Sequence, residues 1–162
     1  MSNLYRMTPA GVMVVGAFRH GGQARQLVHR LKYQADLSAG RALAAAMTKC
    51  VGDDWGCLVP VPRATTRRLR YGIDPARWLA AEVARLSGLP VVDALTPGLW
   101  WPRHAGAQVR PLPALRLRRP AGPMAVLVDD VATTGTTLDR AGGVVGTWRA
   151  LVATVAIGPN GP

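Results

Sequence analysis

Residues Ala125 to Leu138 read AVLVDDVATTGTTL. An apolar run, Met124 to Val128, leads straight into Asp129-Asp130, and Thr133-Thr134-Gly135-Thr136-Thr137 follows ahead of a helical stretch. A short, continuous apolar run of this kind reads as a strand buried on both faces of a parallel sheet. Such a strand delivers the two carboxylates to the carboxyl edge of the sheet, where α/β folds bind ligands. Carboxylates there accept hydrogen bonds from vicinal hydroxyls or sit near a bound Mg²⁺. The small residues after them let backbone N–H groups curl round one phosphate, and Gly135 permits a positive φ. The following helix adds its dipole and its unpaired N–H groups. A sugar phosphate suits this edge, with hydroxyls on Asp129 and Asp130 and phosphate on the threonine-rich loop. The plain alternative is an Asp-capped turn with threonine filler; a strand on one side and a helix on the other weigh against it. No Lys follows the glycine, so the loop is not of Walker type.

Outward from this segment, strands and helices alternate. Val12 to Phe18 reads as a strand and Gln23 to Tyr33 as a helix. Leu27, Val28 and Leu31 form the apolar face of that helix, with Arg25, His29 and Lys32 on another. Ser38 to Cys50 is a second helix, capped by Asp36 or Ser38. Cys57 to Pro62 is a buried strand leaving the sheet, and Arg63 to Tyr71 is an arginine-rich loop. Asp74-Pro75 opens a helix, because Asp caps and Pro suits the first helical position, and Gly88 closes it. Pro90 to Leu95 is the next strand. Pro97 to Pro123 is irregular. Thr136 to Trp148 is a helix and Leu151 to Ile157 a final strand. This alternation predicts an α/β fold, Rossmann-like, with a parallel core sheet of about five strands flanked by helices. One domain over 1–162 is expected, with 1–11 a loose arm and 158–162 a tail.

Composition narrows the function classes. The chain has 162 residues, 49% hydrophobic and 18% charged, which is enough apolar material for a core. Lys and Arg number 20 against 9 Asp and Glu, for a formal net charge of +11. Such a balance favours phosphate-rich partners, and it also follows from arginine-rich codon usage alone. Cys50 and Cys57 are the two cysteines, with neither CxxC nor zinc-knuckle spacing, and read as buried free thiols of a reducing compartment. The apolar stretch Met7 to Phe18 is too short to span a bilayer. These features predict a soluble, cytoplasmic protein.

The segment VLVDDVATTGTT resembles the phosphoribosyl-diphosphate (PRPP) binding motif of type I phosphoribosyltransferases, with Asp-Asp where many members have Glu-Asp. Further stretches resemble one branch, the ComF (competence protein F) family: Ala17 to Tyr33 (AFRHGGQARQLVHRLKY), Leu58 to Arg63 (LVPVPR), Arg68 to Ala76 (RLRYGIDPA) and Gln108. The resemblance covers nearly all of Ala17 to Ile157. It implies a parallel sheet between helices, capped by a small hood from the N-terminal part or a loop. It implies that Asp129 and Asp130 bind the ribose hydroxyls, that Ala132, Thr133, Thr134, Gly135, Thr136 and Thr137 hold the 5-phosphate, and that Val61, Pro62 and Arg63 meet the pyrophosphate. Mg²⁺ would bridge pyrophosphate and ribose oxygens, with Asp129 and Asp130 reaching it through water. The chain departs from the branch in having no cysteine-rich zinc module and in carrying Tyr71-Gly72-Ile73-Asp74-Pro75 where the family has Arg-Gly-Phe-Asn-Gln.

Other residues stay open to two readings. Lys32 either reaches a phosphate or lies on a solvated helix face. Arg67, Arg68 and Arg70 either clamp pyrophosphate or belong to a solvated loop. Trp100-Trp101 with Arg103 and His104 either stack a base or cap the sheet. The three histidines have no ligand spacing. Two functions therefore stand: a glycosyltransferase of the phosphoribosyltransferase type that displaces pyrophosphate with an acceptor, and a non-enzymatic competence-type module that binds single-stranded DNA on a retained PRPP fold. A homodimer is a further expectation.

Overall fold

The computed structural model describes residues 3–62, 72–97 and 114–157. Among the described residues, seven strands and four helices follow in chain order: β1 (Leu4–Met7), β2 (Met13–Arg19), α1 (Gly22–Gln34), α2 (Leu37–Thr48), β3 (Cys57–Pro60), α3 (Pro75–Ser87), β4 (Leu95–Pro97), β5 (Leu115–Leu117), β6 (Ala125–Ala132), α4 (Thr136–Val145) and β7 (Arg149–Val155). Five strands form the main sheet in the order β1-β2-β7-β6-β3, while β4 and β5 pair separately. All pairings in the main sheet are parallel except β1 with β2. The expected mixed α/β architecture with a mostly parallel sheet is present.

Helices cover both faces of the sheet. On one face Leu31 of α1, Leu43 and Met47 of α2, and Leu79 and Val83 of α3 pack on Val15, Leu58, Val126, Val128 and Leu151. On the other, Leu138 and Ala141 of α4 pack on Val14, Val59, Leu127, Ala150 and Val152, with Leu95 and Leu115 of the small sheet at the margin. Burial on both faces explains why β3, β6 and β7 read as continuous apolar runs instead of alternating ones. No described helix is long and apolar enough to cross a membrane. Cys50 and Cys57 are buried free thiols, and burial pushes both thiol pKa values up.

Helix ends follow local chemistry. Asp36 caps α2, its carboxylate accepting from the N–H groups of Ser38 (2.9 Å) and Ala39 (3.2 Å). The Ser38 hydroxyl and these amides hold the Asp36 pKa down at about 2. Asp74 caps α3 through the Arg77 N–H, and Gly88 ends it in the left-handed conformation.

Several expectations are corrected. Leu4–Met7 is a strand, not a loose arm: it pairs antiparallel with β2 and its Leu4 packs against the α4 face. Residues 90–95 do not form a full strand. Leu58 N–H donates to Pro90 O and Val92 N–H to Leu58 O, giving a single parallel bridge at Val91. The next donor in that ladder would be residue 60, which is proline and has no N–H. Val92 O instead accepts from Ala94 N–H (2.8 Å), a three-residue turn that sends the chain off the sheet. It pairs there as β4 with β5, and β5 falls inside the stretch from Pro97 to Pro123 expected to be irregular. The helix from Thr136 stops at Val145, not Trp148, because Gly146 adopts φ 79° and its N–H closes on Gly142 O. Strand β6 runs on to Ala132, so the acidic pair lies inside the strand and not beyond its end.

Candidate functional site

The site grows from the place where β3 and β6 part. Their ladder ends with Pro60 opposite Val128, and Val61 N–H makes a last bond to Val128 O (2.9 Å). Among the described residues, β6 is paired from Asp129 onward with β7 alone, through Ala132 and Val155. The edge of β6 that carries the acidic pair therefore faces the chain that leaves β3 at Val61 and Pro62. Arg63, Arg67, Arg68 and Arg70 lie outside the described residues, as do Trp100, Trp101, Arg103, His104 and Gln108.

Face alternation in β6 breaks at this point. Val126 and Val128 pack with α1–α3, and Ala125 and Leu127 with α4. Beyond the pair, Val131 packs with the first group and Ala132 with the second, the reverse of the upstream parity. Strand β7 reverses with it, Ala153 packing with the first group and Val155 with the second, so the register is kept.

The two carboxylates have different surroundings. Asp130 is 5% exposed, and Lys32 of α1 places its Nζ 2.9 Å from Oδ1 and 2.8 Å from Oδ2. Lys32 thus reaches a carboxylate, and neither expected reading of it foresaw that partner. Asp129 is half-buried; its Oδ1 accepts the Asp130 N–H (2.8 Å), and no salt-bridge partner meets it among the described residues. Burial pushes the Asp129 carboxyl well above the ordinary carboxylate range; the neighbouring Asp130 charge adds to this, Lys32 opposes it, and Asp74 at the start of α3 adds again. His20, just past β2, contacts the buried Thr154 hydroxyl through Nδ1 (2.8 Å). Its pKa is lowered by burial first, then by Arg25 and Lys32, with Asp130 opposing.

The threonine-rich loop follows at once. Thr133 and Thr134 are exposed, and Gly135, at φ 86°, is the N-cap of α4 and has no side chain to cap with; the Thr136 N–H donates to Thr134 Oγ1 (3.4 Å). The N-terminus of a helix begun this way favours an anion through its leading N–H groups and its dipole. The Thr134 and Thr136 hydroxyls lie 2.9 Å apart. The N-terminal segment buttresses the loop. Arg6 of β1 donates to the carbonyls of Thr133 and Ala156. The Thr8 hydroxyl donates to Asp139 and accepts from Val12 N–H (2.8 Å). A Cβ at Gly135 would lie 2.5 Å from the Thr8 methyl, so the segment packs directly on the loop. Arg6, Thr8 and Asp139 were not singled out by the sequence. Their partners are far away in the chain, and an Arg, Thr or Asp alone carries no periodic signal.

The fold therefore brings together Asp129, Asp130, Ala132, Thr133, Thr134, Gly135, Thr136, Thr137, Val61 and Pro62. For a divalent cation the described donors are few: no group of three or more His, Cys, Asp or Glu among the described residues is placed to hold one. With Asp130 engaged by Lys32, Asp129 is the carboxylate left to offer. That donor set fits a Mg²⁺ that arrives with a diphosphate and keeps most of its oxygen ligands from phosphate and water. Taken together the fold and site define a mixed α/β protein with an anion-ready loop beside an acidic pair. The chain matches no protein-family model and no curated protein.

Proposed function

We propose that the chain is a phosphoribosyltransferase-like protein that binds PRPP with Mg²⁺ at the carboxyl edge of β6. One observation carries the reading: a single strand–loop–helix unit sets an acidic pair near the end of its strand, one short threonine-rich loop ahead of a helix N-terminus whose N-cap is a left-handed glycine. Ribose hydroxyls go to the acidic pair and the 5-phosphate to the amides of residues 133–137. In this reading Val61, Pro62 and Arg63, which follow β3 in the chain, meet the pyrophosphate. Bound Mg²⁺ supplies charge neutralisation for the departing pyrophosphate. Catalysis then consists of holding an acceptor against the anomeric carbon and stabilising the leaving group, with no side-chain nucleophile needed. The small β4–β5 sheet corresponds to the hood in this reading, and the setting is cytoplasmic.

The second reading is a competence-type module that binds single-stranded DNA. It is favoured by Arg63, Arg67, Arg68 and Arg70, clustered within eight positions of a chain of charge +11. The two separate in paired titrations of wild type and an Arg67→Ala, Arg68→Ala, Arg70→Ala variant. Under the enzyme reading, PRPP with Mg²⁺ releases pyrophosphate in the presence of an acceptor, and the variant loses PRPP affinity far more than DNA affinity. Under the DNA reading, the slope of log affinity against log salt falls by about 0.7 for each lost phosphate contact, and PRPP affinity is unchanged.

A further inference from the structure

The acidic pair is not symmetric. Lys32 sits one residue after Leu31, which is fully buried in the sheet–helix core, so its side chain starts from a fixed point on α1. Its ammonium contacts both oxygens of Asp130, at 2.9 and 2.8 Å, with the lysine 22% exposed and the aspartate 7% by side chain. A carboxylate held through both oxygens by a largely buried ammonium has lost its freedom to turn, and breaking such a pair leaves an uncompensated charge. His20, just past β2, lies close enough for its charge to couple with Asp130 and with Lys32, and Arg25 of α1 couples with His20. Asp130 thus has Lys32 against it and the His20 imidazole nearby. Asp129 differs: its Oδ1 is bridged to the next backbone N–H, and Oδ2 accepts no hydrogen bond from a described residue.

We infer that the pair divides its work: Asp129 is the carboxylate that meets the ligand hydroxyls, and Asp130, locked by Lys32, is a positioning residue that fixes the backbone turn of β6 and the orientation of Asp129. The inference rests on the proposed PRPP reading for the identity of the ligand, and on the ion pair alone for the coupling. The Asp130 N–H is the donor that holds Asp129 Oδ1, so a displaced Asp130 side chain tilts the peptide that orients its neighbour. Lys32 then matters to the ligand without touching it.

The test uses Lys32→Met, Lys32→Arg, Asp130→Asn, Asp129→Asn and the Lys32→Met/Asp130→Asn double variant. PRPP affinity is measured by calorimetry with Mg²⁺, and stability without ligand by urea unfolding. Removing the partner that orients a ligand-binding group typically costs roughly 10–100-fold in affinity, and that loss is expected for Lys32→Met and for Asp130→Asn. The double variant is expected to bind as weakly as either single variant, and to be more stable than the Lys32→Met variant. Lys32→Arg is expected to recover part of the affinity, and Asp129→Asn to lose the most. A purely structural lysine would lower stability and leave PRPP affinity per folded molecule unchanged, which would overturn the inference. So would an Asp130→Asn loss equal to that of Asp129→Asn with no effect of Lys32→Met. Additive losses of stability in the double variant would show that no ion pair operates. Wild-type protein that binds no PRPP overturns the functional reading itself, and the unfolding cycle reads the Lys32–Asp130 coupling independently of it.

Discussion

Replacing Gly135 with alanine asks whether the loop before α4 is held in shape by the N-terminal segment. Gly135 has φ 86°, which an L residue adopts at a cost of about 1–2 kcal/mol. The added Cβ would also lie 2.5 Å from Thr8 Cγ2 and 2.9 Å from Thr8 Cβ. Thr8 cannot simply swing away, because its hydroxyl is bonded to Asp139 and to Val12 N–H. Overlap of this kind in a packed site adds about 1–3 kcal/mol. Gly135→Ala is therefore expected to destabilise by about 2–5 kcal/mol in total. Thr8→Ser keeps the hydroxyl and deletes the nearest clashing methyl. In that background the cost of Gly135→Ala is expected to fall but to stay above the backbone strain of about 1–2 kcal/mol, because the Cβ at position 8 still lies 2.9 Å away. Urea unfolding of the four proteins measures the cycle, and calorimetric titration with ribose 5-phosphate reads the loop. Equal costs in the two backgrounds would refute direct packing of Thr8 on the loop. Unchanged stability and affinity in Gly135→Ala would refute the left-handed turn as the phosphate cradle.

Two further outcomes follow from the site. Asp129 has a folded-state pKa raised above its ordinary 3.8, so the folded protein holds this proton to higher pH than the unfolded chain does. Its contribution to stability is complete below that ordinary value and is lost as pH rises through the folded value. In metal-free buffer Asp129→Asn is expected to remove this decline, to be more stable than wild type at neutral pH, and to bind PRPP more weakly; a variant with the wild-type pH–stability curve contradicts this. Arg6→Ala removes a charged donor from the Thr133 and Ala156 carbonyls, at about 1–3 kcal/mol, and amide exchange at residues 133–137 is expected to quicken. Unchanged exchange there would show that β1 does not brace the loop.

The order of strands and helices was legible because most of these segments are either doubly buried or clearly amphipathic. Met124–Val128, Cys57–Pro60 and the helix opened by Asp74-Pro75 announce themselves through continuous apolar residues or capping chemistry. What was not legible depends on contacts distant in sequence. Leu4–Met7 is short and exposed on alternate residues, and it becomes a strand because the edge of β2 is there to receive it. The stretch from Pro90 has a strand-like composition, and it is the missing N–H of Pro60, thirty positions earlier, that stops its ladder. In the site, the acidic pair and the glycine turn could be read from Ala125 to Leu138, but not that β6 continues through the pair to Ala132. The unequal surroundings of Asp129 and Asp130 could not be read either, since they depend on Lys32 reaching across from α1.

The central claim is tested most directly by titrating the wild-type protein with PRPP, with and without Mg²⁺, while following backbone amide resonances by NMR. The account predicts saturable shifts concentrated at Asp129, Asp130 and residues 132–137, stronger with Mg²⁺ than without it, and abolished for the loop amides in Gly135→Ala. Binding with shifts confined to other surfaces, or no binding at millimolar PRPP with Mg²⁺, would contradict it.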